Sequence, residues 1–413
     1  MILRNSLFTL AVAASFVNAG AAIPVYQDET RPLDERVEDA LSRMTLQEKA
    51  NMIHAQGKFS SAGVPRLGIP DLWMSDGPHG VRAEINWNDW GYSNRTNDSI
   101  TAFPALTALA ATWNPDLSFA YGNALGEEAL YREKDVMLGP GVNIYRTPLN
   151  GRNFEYMGED PYLASVLVVP YIKGMQQNGV AASVKHFALN NQELWRGHID
   201  VNLSDRALHE IYLPAFKSAV IDGDSWTIMG SYNKIRGQHA CHNEMLLNKI
   251  LKDDWGYKGV VVTDWGGAHD TREAALYGLD LEMGSYTNGL TSESEFTTDD
   301  YYLANPYIEM LQKGELPMET IDDKARRMLR LNFLTAMKRD KPFGSVATDE
   351  HYAVAEQIGN EGIVLLKNAP VGKKGPKLLP LNPDPCGRRQ CHPRPHERRR
   401  LQRTQSQRQL HSA

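Results

Sequence analysis

Short apolar runs that close on polar residues recur along this chain, with helical patterns between them. The clearest run is GVVVTDWGG, in which apolar or β-branched residues lead up to Thr263, with Gly259 before and Gly266-Gly267 after. That pattern predicts a short, fully buried parallel strand with a turn at its end. The same construction recurs upstream. IPDLWMSDGPHGVR closes at Asp76 with Arg82 close behind, and VMLGPGVNIYRTPLNGRNFEY runs into a glycine-flanked loop carrying Arg152 and Glu155. GVAASVKHFALNNQE ends on Lys185 and His186, and SWTIMGSYN on Met229, Tyr232 and Asn233. GLDLEMG adds a further run with Asp280 and Glu282, while ALTALAATW, before Asn114, is a weaker strand candidate.

Helix start signals fill the intervals. Asn114-Pro115 and Asp160-Pro161 each set a capping residue ahead of a proline at the first helical position. Ser204 precedes DRALHEIYLPAF, where Leu208, Ile211, Tyr212 and Ala215 fall at helical spacing. Thr45 and Glu48 make a capping-box pattern ahead of Ala50, Met52 and Ile53. Strand-helix alternation of this kind implies a parallel sheet, either an open doubly wound one or a (β/α)8 barrel.

The polar residues favour the barrel, because a barrel gathers its active site from the carboxyl ends of several strands. A doubly wound sheet concentrates function at one switch point, usually with a glycine-rich phosphate turn, and no GxGxxG or GxxxxGK[ST] occurs here. No eighth strand stands out. Asp264 is the leading functional candidate, since a carboxylate at the mouth of an apolar sheet is costly unless its charge has a use. The competing reading makes it a cap for the next helix.

With 413 residues there is room for one barrel of about 250 residues plus a second element. A net charge of −6 suggests no polyanionic partner. Residues 1–21 read as a secretory signal peptide: Arg4, an apolar core over Leu7–Val17, and Ala19-Gly20-Ala21 as the cleavage site. That core is too short for a membrane span, and nothing later is longer, so export to the periplasm or the medium is expected, with no membrane partner. Three cysteines make no disulfide framework. Cys241 lies between His239 and His242, but adjacent ligands on one loop make poor tetrahedral geometry, so no metal is expected. Asn94, Asn97 and Asn202 are glycosylation sequons. From about Asn382 the text turns arginine-rich and almost free of aliphatic residues. A nucleic-acid-binding tail is one reading; the preferred one is translation out of frame or another truncation artefact, with no nucleic-acid partner.

The motifs SDGPHGVR, GRNFEYMGEDPYL, SVKHF, MGSYN and VVVTDW, in this order, resemble glycoside hydrolase family 3 in its β-glucosidase branch. The likeness runs from about Thr30 to Leu381. It implies a (β/α)8 TIM-like barrel over 22–340, then over 341–381 a linker and only the start of an α/β sandwich domain, with 382–413 as an aberrant or disordered basic tail. AEQIGNEGIVLLKNAP resembles the entry to that second domain. The resemblance implies a retaining hydrolase of β-linked glucose or related sugars, with no cofactor, in which Asp264 matches the nucleophile. Asp76, Arg152, Lys185 and His186 match the residues that bind hydroxyls of the terminal sugar, while Arg82, Met229, Tyr232 and Trp265 match others lining that subsite.

The chemistry agrees. A retaining glycosidase needs one carboxylate nucleophile and one carboxylic acid about 5–5.5 Å away. Lys185 and Arg152 are expected to lower the pKa of Asp264. Glu155 and Glu193 are read as scaffold for the basic residues, and Trp73 as core rather than a sugar platform. In two-domain members the acid/base is a glutamate on the second domain, and no residue here matches it. His198 with Asp200 is only a faint echo of the Asp-His dyad of the family's hexosaminidase branch. The expected activity is release of terminal β-D-glucosyl residues from cello-oligosaccharides or aryl glucosides. The alternatives are a β-xylosidase, or a sugar-binding fragment without turnover.

Overall fold

The computed structural model describes residues 23–380 except 88, 94–98, 285–299, 371, 373, 374 and 378. The expected signal peptide, the sequons at Asn94 and Asn97 and the basic tail therefore lie outside the described residues. The strands in chain order are β1 (Ala55–Gly57), β2 (Ser60–Ser61), β3 (Leu72–Asp76), β4 (Val136–Leu138), β5 (Ala181–Phe187), β6 (Asp200–Val201), β7 (Thr227–Gly230), β8 (Lys234–Ile235), β9 (Gln238–His239) and β10 (Val260–Val262). The main sheet runs β1-β2-β3-β4-β5-β7-β10, while β6, β8 and β9 form a small separate sheet.

The sheet closes on itself. Leu281 bridges Val262 and Glu282 bridges His54, both in parallel, so the GLDLEMG run completes a barrel of eight segments. β3, β4, β5, β7 and β10 are mutually parallel, whereas β2 is antiparallel to both β1 and β3. The architecture is thus a (β/α)8-like barrel with one reversed strand in a tight first hairpin. Every residue of β5, β7 and β10 is buried, the pattern that sheet faces covered on both sides require. The Thr227 hydroxyl is satisfied locally, its Oγ1 donating to the Ala182 carbonyl at 2.9 Å, whereas Ser183 Oγ in β5 is buried without a hydrogen-bond partner.

The helix caps form as their residues dictate. Asn114 accepts from the backbone of Asp116 and Leu117 to open the helix Pro115–Tyr131, and Asp160 does the same for Pro161–Gln176. Thr45 and Glu48 complete a reciprocal capping box on Leu46–Met52. Ser204 caps a helix at Asp205 that widens into a π turn over Leu208–Tyr212 and continues as Pro214–Ile221. One expectation fails: ALTALAATW forms the helix Leu106–Ala111, not a strand. Leu106, Leu109 and Ala110 are its buried residues, a helical repeat of three and four, in alanine- and leucine-rich text that favours helix.

Beyond the last barrel helix, Glu319–Leu334, the helix Asp349–Gly362 docks on the barrel against Leu106–Ala111 and Pro115–Tyr131, burying Ile358. His351 fixes it. Its Nδ1 lies 3.0 Å from Glu128 Oε1 and its Nε2 3.0 Å from Glu127 Oε2, so both ring nitrogens must donate and the ring is an imidazolium. Burial works against that charge, but the two glutamates outweigh it and raise the pKa. Past this helix Ile363, Val364, Leu365 and Leu366 are exposed. Among the described residues no helix is long and apolar enough to cross a membrane.

Candidate active site

Barrel closure brings strand ends that are far apart in sequence to one mouth. Asp76 ends β3, Lys185 and His186 sit near the end of β5, and Asp264 follows β10 by two residues. Arg152 and Glu155 come from the loop after β4, where Asn153–Glu155 makes a 3-10 turn.

These side chains form one charge network. Lys185 Nζ contacts Asp76 Oδ1 at 3.0 Å and Glu155 Oε1 at 2.8 Å. Arg152 Nε donates to the other oxygen of Glu155 at 2.8 Å, and its Nη2 meets His186 Nε2 at 2.9 Å. His186 Nε2 lies 3.6 Å from Asp264 Oδ2. Arginine only donates, so Nε2 of His186 accepts and the ring proton sits on Nδ1, which donates to Tyr156 Oη at 3.1 Å. Asn143 holds the backbone of His186 from both sides, at 2.9 Å to its N–H and 2.9 Å to its carbonyl.

The electrostatics follow from this packing. Burial and the cations Arg152 and Lys185 push His186 well below the usual imidazole range, so it is neutral. Burial alone would raise Glu155, yet Lys185 and Arg152 hold it well below the carboxylate range. Asp76 behaves alike: enclosure in the cleft raises its pKa, and Lys185 more than offsets this. Its side chain stays 41% exposed, which leaves oxygen lone pairs facing the open cleft, whereas Lys185 is 3% exposed.

Asp264 differs, against expectation. Burial raises its pKa, and Arg152, Arg196, the Trp265 N–H and Lys185 offset that only in part. Its Oδ1 accepts from the Trp265 N–H at 2.8 Å, while Oδ2 is buried without a hydrogen-bond partner. The cations lower its pKa as the sequence suggests, but the loss of water on burial outweighs them.

Around this core the remaining candidates divide. The Tyr232 hydroxyl donates to the Trp265 carbonyl at 3.1 Å; burial and the nearby Asp264 charge keep it protonated. Trp265 anchors its indole N–H on the Lys58 carbonyl at 2.8 Å and packs on Phe59, with ring centroids 5.0 Å apart. Arg82 Cζ stands 5.6 Å from the Phe59 ring and 5.3 Å from the Trp90 ring. Met229 is buried in β7, in register with Val262, and no polar contact ties it to the network. Trp73, three residues short of Asp76, packs edge-on to Trp87 at 5.5 Å.

Glu155 and Glu193 act as scaffold: Glu193 binds Arg196 at 2.6 Å and lies 3.8 Å from Arg152. Tyr156, Asn143, Asn190 and Arg196 were not legible as site residues. Asn143, Tyr156 and Asn190 stand inside the runs that end at the site, and Arg196 three residues past one of them, but nothing in their spacing says that they face the cluster. The loop histidines His239 and His242 meet His269, which stacks on His239 at 3.8 Å, while His242 Nδ1 binds Glu273 at 2.7 Å. Among the described residues no group of three or more His, Cys, Asp or Glu converges as a metal site, and the Cys241 thiol is buried against the Ser231 carbonyl.

The model of the glycosyl hydrolase family 3 N-terminal domain matches residues 46–331. The chain belongs to glycosyl hydrolase family 3. Among its family 3 relatives, beta-glucosidase BoGH3A of Bacteroides ovatus is 71% identical over 358 residues, which is 87% of this chain and 48% of that protein. Thermostable beta-glucosidase B of Acetivibrio thermocellus is 38% identical over 332 residues, 80% of this chain and 42% of that one. The solved beta-glucosidase 3B of Thermotoga neapolitana in complex with glucose superposes with a TM-score of 0.73 at 36% identity, covering 80% of this chain and 47% of that chain. The family 3 chain thus spans about half the length of the curated relatives it matches.

Proposed function

We propose that this family 3 chain carries the sugar-binding and nucleophile half of a retaining β-glucosidase. It would act on terminal non-reducing β-D-glucosyl residues of cello-oligosaccharides or aryl glucosides. The observation that carries this reading is the Asp264 carboxylate, with one buried oxygen free of hydrogen bonds beside a neutral His186 and the cations of Arg152 and Lys185. Such an oxygen is a nucleophile without a competing partner. It would attack the anomeric carbon as the bond to the leaving oxygen breaks, and water would then hydrolyse the glycosyl-enzyme.

Asp76 faces the cleft and accepts sugar hydroxyls; Lys185 and Arg152 donate to oxygens of the same ring, and His186, whose Nε2 accepts from Arg152, orients that guanidinium. Arg82, Met229, Tyr232 and Trp265 shape the same subsite, with the Trp265 indole as an apolar face for the ring. The apolar amino-terminal run supports action outside the cytoplasm. A second reading, binding without turnover, draws on one observation. Asp76 and Glu155 are both held ionised, so neither supplies the proton that a poor leaving group needs.

Trapping with a 2-deoxy-2-fluoro glucoside bearing a dinitrophenolate leaving group, followed by peptide mapping, tests the proposal. Label on Asp264 is expected. Label on another carboxylate, or none, would overturn it.

A further inference from the structure

Arg196 lies in the turn after β5 and lays its guanidinium over the face of Tyr232, with Cζ 4.4 Å from the ring centroid. Glu193 braces it, Oε2 standing 2.6 Å from Arg196 Nη1. The other oxygen of Glu193 accepts from Asn190 Nδ2 at 3.1 Å and lies 3.8 Å from Arg152. Arg196 is therefore tied to the charge network on one side and to the Tyr232 ring on the other. The Tyr232 hydroxyl in turn reaches the carbonyl of Trp265, the residue after Asp264.

The backbone carries a second, independent sign. Trp195 has φ 59, in the left-handed region that a bulky side chain rarely adopts, and the residue is 69% exposed. No burial of Trp195 compensates for that shape. Two backbone hydrogen bonds hold it, from the N–H of His198 at 2.8 Å and of Ile199 at 3.1 Å to the Trp195 carbonyl. Strain of this kind persists where the surroundings over-determine it, commonly beside a functional group. The next residue is Arg196, whose guanidinium meets the Tyr232 ring.

We propose that Arg196 is a positioning residue for the nucleophile, locking the Tyr232 ring beside the Asp264 loop and lending positive charge to Asp264. The proposal rests on Asp264 being the nucleophile. A planar guanidinium suits the task because it stacks on the ring while keeping in-plane N–H groups for Glu193, which an ammonium cannot do. The titratable groups around Asp264 are Arg152 from the β4 loop, Lys185 and His186 from β5, Tyr232 after β7, Cys241 beyond β9, and Arg196. Of these, Arg152, Arg196 and Lys185 oppose the rise that burial imposes on the Asp264 pKa.

The test is a carbon-13 NMR titration of the chain labelled at its aspartate carboxyls, with the Asp264 signal assigned by its loss in Asp264→Asn. In Arg196→Gln the Asp264 midpoint should move up by about half a pH unit or more, a partly exposed charge being discounted for screening. Arg196→Lys keeps the charge without the stack, so its midpoint should stay near the parent value. In Arg196→Lys, however, the burst of dinitrophenolate from dinitrophenyl β-glucoside should slow at saturating substrate. An unchanged midpoint in Arg196→Gln, or equal midpoint shifts in the two variants, would overturn the proposal. No burst from the parent chain would count against the glucosidase reading, while the titration would still decide the role of Arg196.

Discussion

Replacing Glu155 by Gln probes the centre of the charge network. The carboxylate gives one oxygen to Lys185 and the other to Arg152, each at 2.8 Å, and the side chain is 8% exposed. An amide has the same shape but only one acceptor oxygen, so its NH2 must face one of the two cations. Breaking a buried pair by removing one partner costs about 3–5 kcal/mol. The low end applies, because Lys185 keeps Asp76 at 3.0 Å and Arg152 keeps His186 at 2.9 Å. For a chain of this size about 3 kcal/mol corresponds to a fall in Tm of about 4 °C. The pH dependence gives the sharper check. The folded-state pKa of Glu155 is depressed, so its contribution is complete above the unfolded carboxylate pKa and is lost as pH falls towards the folded value. The Tm gap between parent and Glu155→Gln, followed by circular dichroism, should therefore be full at neutral pH and shrink in acid below the unfolded pKa. A gap under about 2 °C at neutral pH, or one that widens in acid, would refute the reasoning.

Other outcomes follow from the same contacts. Asp264→Asn should abolish glycosyl transfer, read as loss of the dinitrophenolate burst, while leaving the circular dichroism spectrum unchanged. Asp76→Ala should lower kcat/KM by about 100-fold, with losses in both terms, since the carboxylate holds the ring for attack. With Asp76 and Glu155 ionised, a leaving-group series should show slow turnover of dinitrophenyl β-glucoside and almost none of cellobiose; ordinary cellobiose hydrolysis would mean that another group supplies the proton. His351→Gln should loosen the helix Asp349–Gly362, read by hydrogen exchange. His351 has a raised pKa, so the gap to the parent should be full below the unfolded imidazole pKa and close as pH rises through the folded one.

Where one periodic signal or one cap decides local structure, the sequence was enough. Val260–Val262 sits between glycines with no rival pattern, and Asn114-Pro115 and Asp160-Pro161 start helices where those residues require. β1 and β2 were not legible because Ala55–Gly57 and Ser60–Ser61 lack the apolar run that marks Val260–Val262, and their pairing is decided by barrel closure. Within the site, Asp76, Lys185, His186 and Asp264 fall together because each stands at or just past a strand end, and Arg152 joins them from the loop after β4. The sign of the Asp264 pKa shift was not legible. It depends on how much water one oxygen loses, which is a property of packing. His351 with Glu127 and Glu128 was equally hidden, since those partners lie 224 and 223 positions away.

The tautomer of His186 sets a rule for what the cleft accepts. With its proton committed to Tyr156, the ring has only a lone pair at Nε2, which Arg152 Nη2 fills at 2.9 Å, so any group that takes the place of Arg152 there must bring a hydrogen of its own. A sugar hydroxyl satisfies that demand; a fluorine or a ring oxygen in the same place does not. Two sugars of the same shape are then told apart by the direction of one hydrogen bond, and a deoxyfluoro sugar altered at the contacting position should bind as poorly as the deoxy sugar. Recognition here is by parity of donors and acceptors, set on the side of the ring away from the cleft by the phenol of Tyr156.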